Sequence, residues 1–98
     1  MLHIVNRSPL NTTAFDTLAR IARDGALLLI EDAVYAATRG NSAESALRGI
    51  GARVKLHVLG PDLEARGVAD RVIDGVIVVD YGGFVDLVAE HPACQSWL

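Results

Sequence analysis

The sequence predicts an α/β fold: a single three-layer α/β/α domain over residues 1–98, built on a mostly parallel sheet of about four strands. Three observations carry that prediction. Short aliphatic runs, Leu2–Val5, Ala26–Ile30, Arg53–Leu59 and Val76–Val79, alternate with stretches whose apolar residues recur at helical spacing. The run Ala26-Leu27-Leu28-Leu29-Ile30 is apolar without alternation, the pattern of a strand buried on both faces. Finally, 51% of the residues are hydrophobic but only 5% aromatic, so burial rests on thin layers of Val, Leu, Ile and Ala.

In chain order, Leu2–Val5 forms the first strand, which Asn6-Arg7-Ser8-Pro9 closes with turn chemistry. From about Thr12, the residues Ala14, Phe15, Leu18, Ile21 and Ala22 predict a helix, with Asn11 or Thr12 as its cap and Gly25 at its end. Ala26–Ile30 is the second strand, stopped abruptly by Glu31-Asp32, and Ala33–Ala37 is a short helix ending near Gly40. Asn41-Ser42-Ala43-Glu44 resembles a capping box for a helix that presents Ala43, Leu47 and Ile50 until Gly49 and Gly51 break it. Arg53–Leu59 is the third strand, and Pro61 is well placed at the first position of a helix, a short one running about Asp62–Arg66 that stops at Gly67. Val68–Asp74 reads as a loop, and Val76–Val79 as the fourth strand. Asp80-Tyr81-Gly82-Gly83 leads into a last helix in which Phe84, Leu87 and Val88 share a face, with His91 near its end and Pro92 as its stop. The tail Ala93–Leu98 is too short for an element, yet it ends on Trp97 and Leu98. This order implies right-handed crossovers and helices on both faces of the sheet.

Charge and composition narrow the function. The net charge is −3 and the nine basic residues are scattered, so no basic stripe is available for a phosphate backbone and direct nucleic-acid binding is not expected. No apolar run reaches the roughly 20 residues of a membrane span, and with Met1–Val5 running directly into a strand pattern no signal peptide is expected. A single cysteine, Cys94, leaves no internal disulfide and fits a reduced, cytoplasmic compartment. The apolar surplus, a mean hydropathy of +0.31, favours an oligomer in which another subunit completes the burial.

Candidate chemistry is sparse. Glu31 and Asp32 stand at the carboxyl end of a buried strand, where α/β sheets place ligand and partner sites. Asp32, Asp62 and Asp80 each follow a strand, a placement suited to a cation or to acid–base work, but helix capping accounts for all three. Asn6-Arg7 and Leu59-Gly60 replace the acidic residues of a phosphoacceptor site, and Gly82-Gly83 is not a nucleotide loop. His3 and His57 fall in strands that would bring them together if adjacent, yet two ligands do not close a zinc site, so neither metal nor cofactor is expected. No Ser-His-Asp order is present. Cys94 is the one candidate nucleophile, and it follows a helix carboxyl end where the field opposes a thiolate and only His91 would help.

Leu2-His3-Ile4-Val5-Asn6-Arg7-Ser8-Pro9, Leu28–Ala37, Val58–Gly67, Val79–Val85 and the ending Ser96-Trp97-Leu98, read in order, resemble the family of TusB and DsrH across nearly the whole chain. The resemblance implies a DsrE/DsrF/DsrH-like fold and a subunit of a cytoplasmic sulfur-relay complex, a dimer of heterotrimers of homologous chains. Its partners would be TusC/TusD-like or DsrF/DsrE-like subunits, with sulfur-carrier proteins reached through the complex. In the TusBCD branch the sulfur goes toward 2-thiouridine at the tRNA wobble position; in the DsrEFH branch it serves oxidative sulfur metabolism. The main persulfide cysteine belongs to a partner. Some DsrH members also carry a cysteine in the first helix, where this sequence has Leu18, so the resemblance implies a subunit without a catalytic residue of its own. Glu31, Asp32, Tyr35, Asp80, Tyr81, Phe84, Trp97 and Leu98 are then the expected partner-docking residues.

Overall fold

Three consecutive leucines with no exposed surface, Leu27, Leu28 and Leu29, set the middle of the sheet. The computed structural model describes residues 1–97; Leu98, an expected docking residue, lies outside the described residues. Strands β1 (Leu2–Val5), β2 (Ala26–Leu29), β3 (Lys55–Leu59), β4 (Val76–Val79) and β5 (Cys94–Trp97) make one sheet in the order β4-β3-β2-β1-β5, parallel throughout. β2 is therefore central, as its unbroken apolar run required.

Alternation along β2 sorts its side chains between two cores. Leu27 and Leu29 join Val5, Leu56 and Val58 beneath α1 (Ala14–Ile21), α2 (Glu44–Gly51), α3 (Gly60–Ala65) and the 3₁₀ segment Glu31–Ala37. Ala26 and Leu28 turn the other way and meet Leu2 and Leu87, with Ile4, Phe84 and Val79 packed around them. That second face is served by α4 (Tyr81–Glu90), the connection from one edge of the sheet to the other. The layers are thus three, but unequal.

The fifth strand corrects the expected count of about four and the reading of Ala93–Leu98 as a tail. Cys-Gln-Ser-Trp has no strand periodicity of its own. It becomes a strand because the open edge of β1 accepts it in register, Leu2 opposite Cys94 and Val5 opposite Trp97, with the Leu2 amide donating to the Ala93 carbonyl at 2.9 Å.

Helix ends follow the predicted chemistry with shifts of a residue or two. Before α1, the Thr12 hydroxyl accepts from the Ala14 amide at 3.1 Å, while Thr13, at the cap position, makes no such bond. At α2 the Asn41 side-chain oxygen accepts from the Ala43 amide at 2.6 Å, and Glu44 reaches back to the Gly40 amide at 2.9 Å. This reciprocal pair lies one residue ahead of the box read from sequence. The Gly40 amide and then the Arg48 guanidinium hold the Glu44 carboxyl below the usual carboxylate range. Gly49 sits within α2 rather than ending it, because the packed face of Leu47 and Ile50 outweighs the weak helix preference of one glycine. α3 begins at Gly60, two residues before the expected start, which moves Asp62 from the cap into the first turn. The segment Val68–Asp74 is not plain loop: it holds a 3₁₀ turn, Ala69–Arg71, and an antiparallel bridge between Thr38 and Val72.

His3 and His57 are kept apart. β2 lies between their strands, and the register places His3 in the row of Leu27 and His57 in the row of Leu28, on opposite faces. The pairing that adjacent strands would have allowed does not form.

Candidate docking edge at the strand carboxyl ends

Residues following β1, β2 and β3 converge at one end of the sheet. The Ile30 amide donates to the Val5 carbonyl at 3.0 Å, extending the ladder to the last point before the chain turns. Glu31 then takes φ 51°, the one described non-glycine residue in the left-handed region. For an L-residue this conformation costs on the order of 1–2 kcal/mol. What holds it is Asp62 of α3, whose carboxylate accepts the Glu31 amide at 2.6 Å, a charge-assisted bond between segments 31 residues apart. Asp62 therefore serves the turn after β2, not its own helix, which corrects the capping role read from sequence.

Around this bond the edge is polar and cross-linked. The Asn6 amide group donates to the Glu31 carboxylate at 3.4 Å, and its side-chain oxygen is buried without a partner. Asp32 does not cap the 3₁₀ segment; one of its oxygens takes both Nε and Nη2 of Arg66 at 3.0 Å. With Asp32 largely exposed, this pair, which joins the end of α3 to the 3₁₀ segment, contributes about 0–1 kcal/mol. Asp80 does cap as predicted: it accepts the Gly83 amide at 2.8 Å at the start of α4. His91 closes the other end of that helix, its Nδ1 donating to the Leu87 carbonyl at 2.8 Å.

The remaining expected docking residues divide. Tyr35 is 38% exposed and Tyr81 61%, both available to a partner. Phe84 packs into the second core. Trp97 lies against the first core and donates its indole N–H to His3 Nδ1 at 3.2 Å. That bond requires His3 to be neutral at Nδ1, and burial, followed by the nearby N-terminal ammonium, pushes its pKa down. Burial also lowers His57, whose Nδ1 is enclosed without a partner.

Cys94 is exposed and stands opposite Leu2, at the amino end of the sheet. The length of β5, on the order of 10 Å, separates it from the Glu31–Asp62 edge. Among the described residues no group of three or more His, Cys, Asp or Glu side chains is arranged to hold a metal ion. Sequence reading missed the exposed apolar residues Ile77, Val78, Val85 and Val88, since apolar residues in a strand and a helix read as core wherever their partners are unknown.

The family model described as DsrH like protein matches residues 7–94. The chain belongs to that family. Curated relatives agree along the full length: Protein TusB of Escherichia coli K12 and Protein TusB of Pectobacterium parmentieri are each 40% identical over 98 residues, covering 99% of this chain and 100% of the relative. Among solved structures, the YchN protein of E. coli superimposes with a TM-score of 0.79 at 20% identity, covering 98% of this chain and 97% of that one. A protein of unknown function from Methanobacterium thermoautotrophicum, MTH1491, gives 0.75 at 17%, covering 98% and 96%. These two likenesses establish the fold. The TusB/DsrH identity supports a role as a sulfur-relay subunit for this DsrH-like chain. No helix among the described residues is long and apolar enough to cross a membrane.

Proposed function

We propose that the chain is a non-catalytic structural subunit of a cytoplasmic heterohexameric sulfurtransferase that relays persulfide sulfur toward 2-thiolation of the tRNA wobble uridine. The observation that carries this reading is the 40% identity to TusB over the whole chain, which favours the tRNA branch over oxidative sulfur metabolism. In this role the chain docks homologous TusC- and TusD-like subunits in a dimer of heterotrimers, and a partner supplies the persulfide cysteine. The first helix carries Leu18 where some relatives carry a cysteine, which supports a subunit that leaves the persulfide chemistry to a partner. The Glu31–Asp62 and Asp32–Arg66 contacts give the chain a cross-linked polar edge for docking, with Tyr35 and Tyr81 as exposed aromatic anchors.

Transfer of labelled sulfur from a persulfide donor tests the proposal. The isolated chain is expected to take up no label, the co-expressed complex to take it up, and Cys94→Ser to leave both assembly and relay intact. The exposure of Cys94 favours one competing reading, a direct persulfide carrier. Stable label on Cys94 in the isolated chain, with relay abolished by Cys94→Ser, would establish that reading instead.

A further inference from the structure

The helices that flank the sheet stop one strand short of its β4 edge. In the row of Leu28 and His57, both buried, Ile77 is 51% exposed. On the opposite face, in the row of the fully buried Leu29 and Val58, Val78 is 54% exposed. β4 pairs with β3 on one side, and among the described residues no backbone hydrogen bond joins its other side to any segment. Nothing in Val-Ile-Val-Val blunts this edge: the strand holds no charge, proline, glycine or bulge, the devices that keep edge strands apart. The far edge is different, since β5 exposes the side chains of Cys94, Gln95 and Ser96.

We infer that β4 is completed by an extended strand of a different protein chain, one that carries apolar side chains on both of its faces. This deepens the proposed role as a complex subunit and rests on it. The backbone names the kind of occupant, because a row of outward amides and carbonyls is matched along its length by another extended backbone. Ile77 and Val78, exposed on opposite faces, set the side chains that the occupant must bring. Register then argues against a second copy. An antiparallel β4–β4 pair about a twofold axis normal to the sheet sets each residue opposite one of its own face, so Ile77 meets Ile77 or Val78 meets Val78. Either register pairs three of the four strand residues. The fourth falls opposite Gly75, in a turn at φ 91°, or opposite Asp80, the cap of α4. Pairing β4 with β5 of another copy would lay Ile77 and Val78 against a polar strand and leave a β4 edge open on each copy added. A different chain is bound by neither constraint and can pair with all four residues.

The test uses the full chain with its homologous TusC- and TusD-like subunits and follows backbone amide exchange. Assembly is expected to slow exchange of the outward amides in Val76–Val79 by about tenfold or more. Ile77→Lys/Val78→Lys, at two half-exposed positions, should leave the thermal midpoint of the isolated chain nearly unchanged and weaken assembly by about tenfold or more. Assembly that leaves exchange at Val76–Val79 unaltered, or that the double substitution does not weaken, overturns the assignment of this edge while the subunit role stands. Protection of the same amides in the isolated chain that grows with its own concentration overturns the choice of a different chain. If the unmodified chain joins no complex with those subunits, the subunit role falls and this assignment falls with it.

Discussion

Gly25 shows how closely one residue is bound to the sheet's construction. It sits at φ +90°, and a Cβ there would collide with the backbone of Met1, whose carbonyl accepts the Ala26 amide at 3.2 Å. Gly25→Ala is expected to destabilise the chain by about 2 kcal/mol or more in urea unfolding, since strain and collision act together. Glu31 poses the opposite case. It bears the left-handed conformation without being glycine, so Glu31→Gly should raise stability by about 0.5–1 kcal/mol while keeping the amide bond to Asp62. A variant no more stable than the parent would mean that the turn stores no strain. The position of Glu31 at a strand end was legible in the sequence; its φ and its bond to Asp62 were not, because both depend on where α3 settles against the 3₁₀ segment Glu31–Ala37.

Elements were read well wherever local chemistry sufficed. The last helix is the clearest, with Asp80 as its cap and Gly83 packed so closely on Val79 that a Cβ would come within 2.8 Å of the valine Cβ. Asp80→Ala should cost about 1 kcal/mol, seen as a lower urea midpoint with an unchanged slope. β5 is the counter-example. Nothing in Cys-Gln-Ser-Trp announces a strand, and its existence depends on the free edge of β1 and on Trp97 reaching His3. α3 departs more mildly: β3 ends at Leu59 as read from the sequence, but the helix starts at once at Gly60 instead of at about Asp62.

Acid sensitivity belongs to the whole molecule, because its two buried histidines lie on opposite faces of one sheet. His3 and His57 both have pKa values below the ordinary 6.5, with burial as the main cause. Protons therefore favour the unfolded chain. The stability held by the neutral rings is complete above pH 6.5 and is lost as the pH falls through the interval between 6.5 and the lowered native values. Thermal melts should show a lower midpoint at pH 5.5 than at pH 7.5. His3→Gln should reduce that difference, and emission from Trp97, the only tryptophan, should report the loss of its bond to His3. A pH-independent midpoint would remove both histidines from the account. By itself the sequence determined the α/β class, the central strand, the four α-helices and the family, because aliphatic runs, turn residues and motif order are local in the chain. Only the tertiary structure decided the fifth strand, the bond from Asp62 to Glu31, the separation of His3 from His57 and the uncovered edge of β4. Each of these depends on which segments, far apart in sequence, come to lie side by side, and an apolar side chain carries no mark of whether a neighbour will cover it.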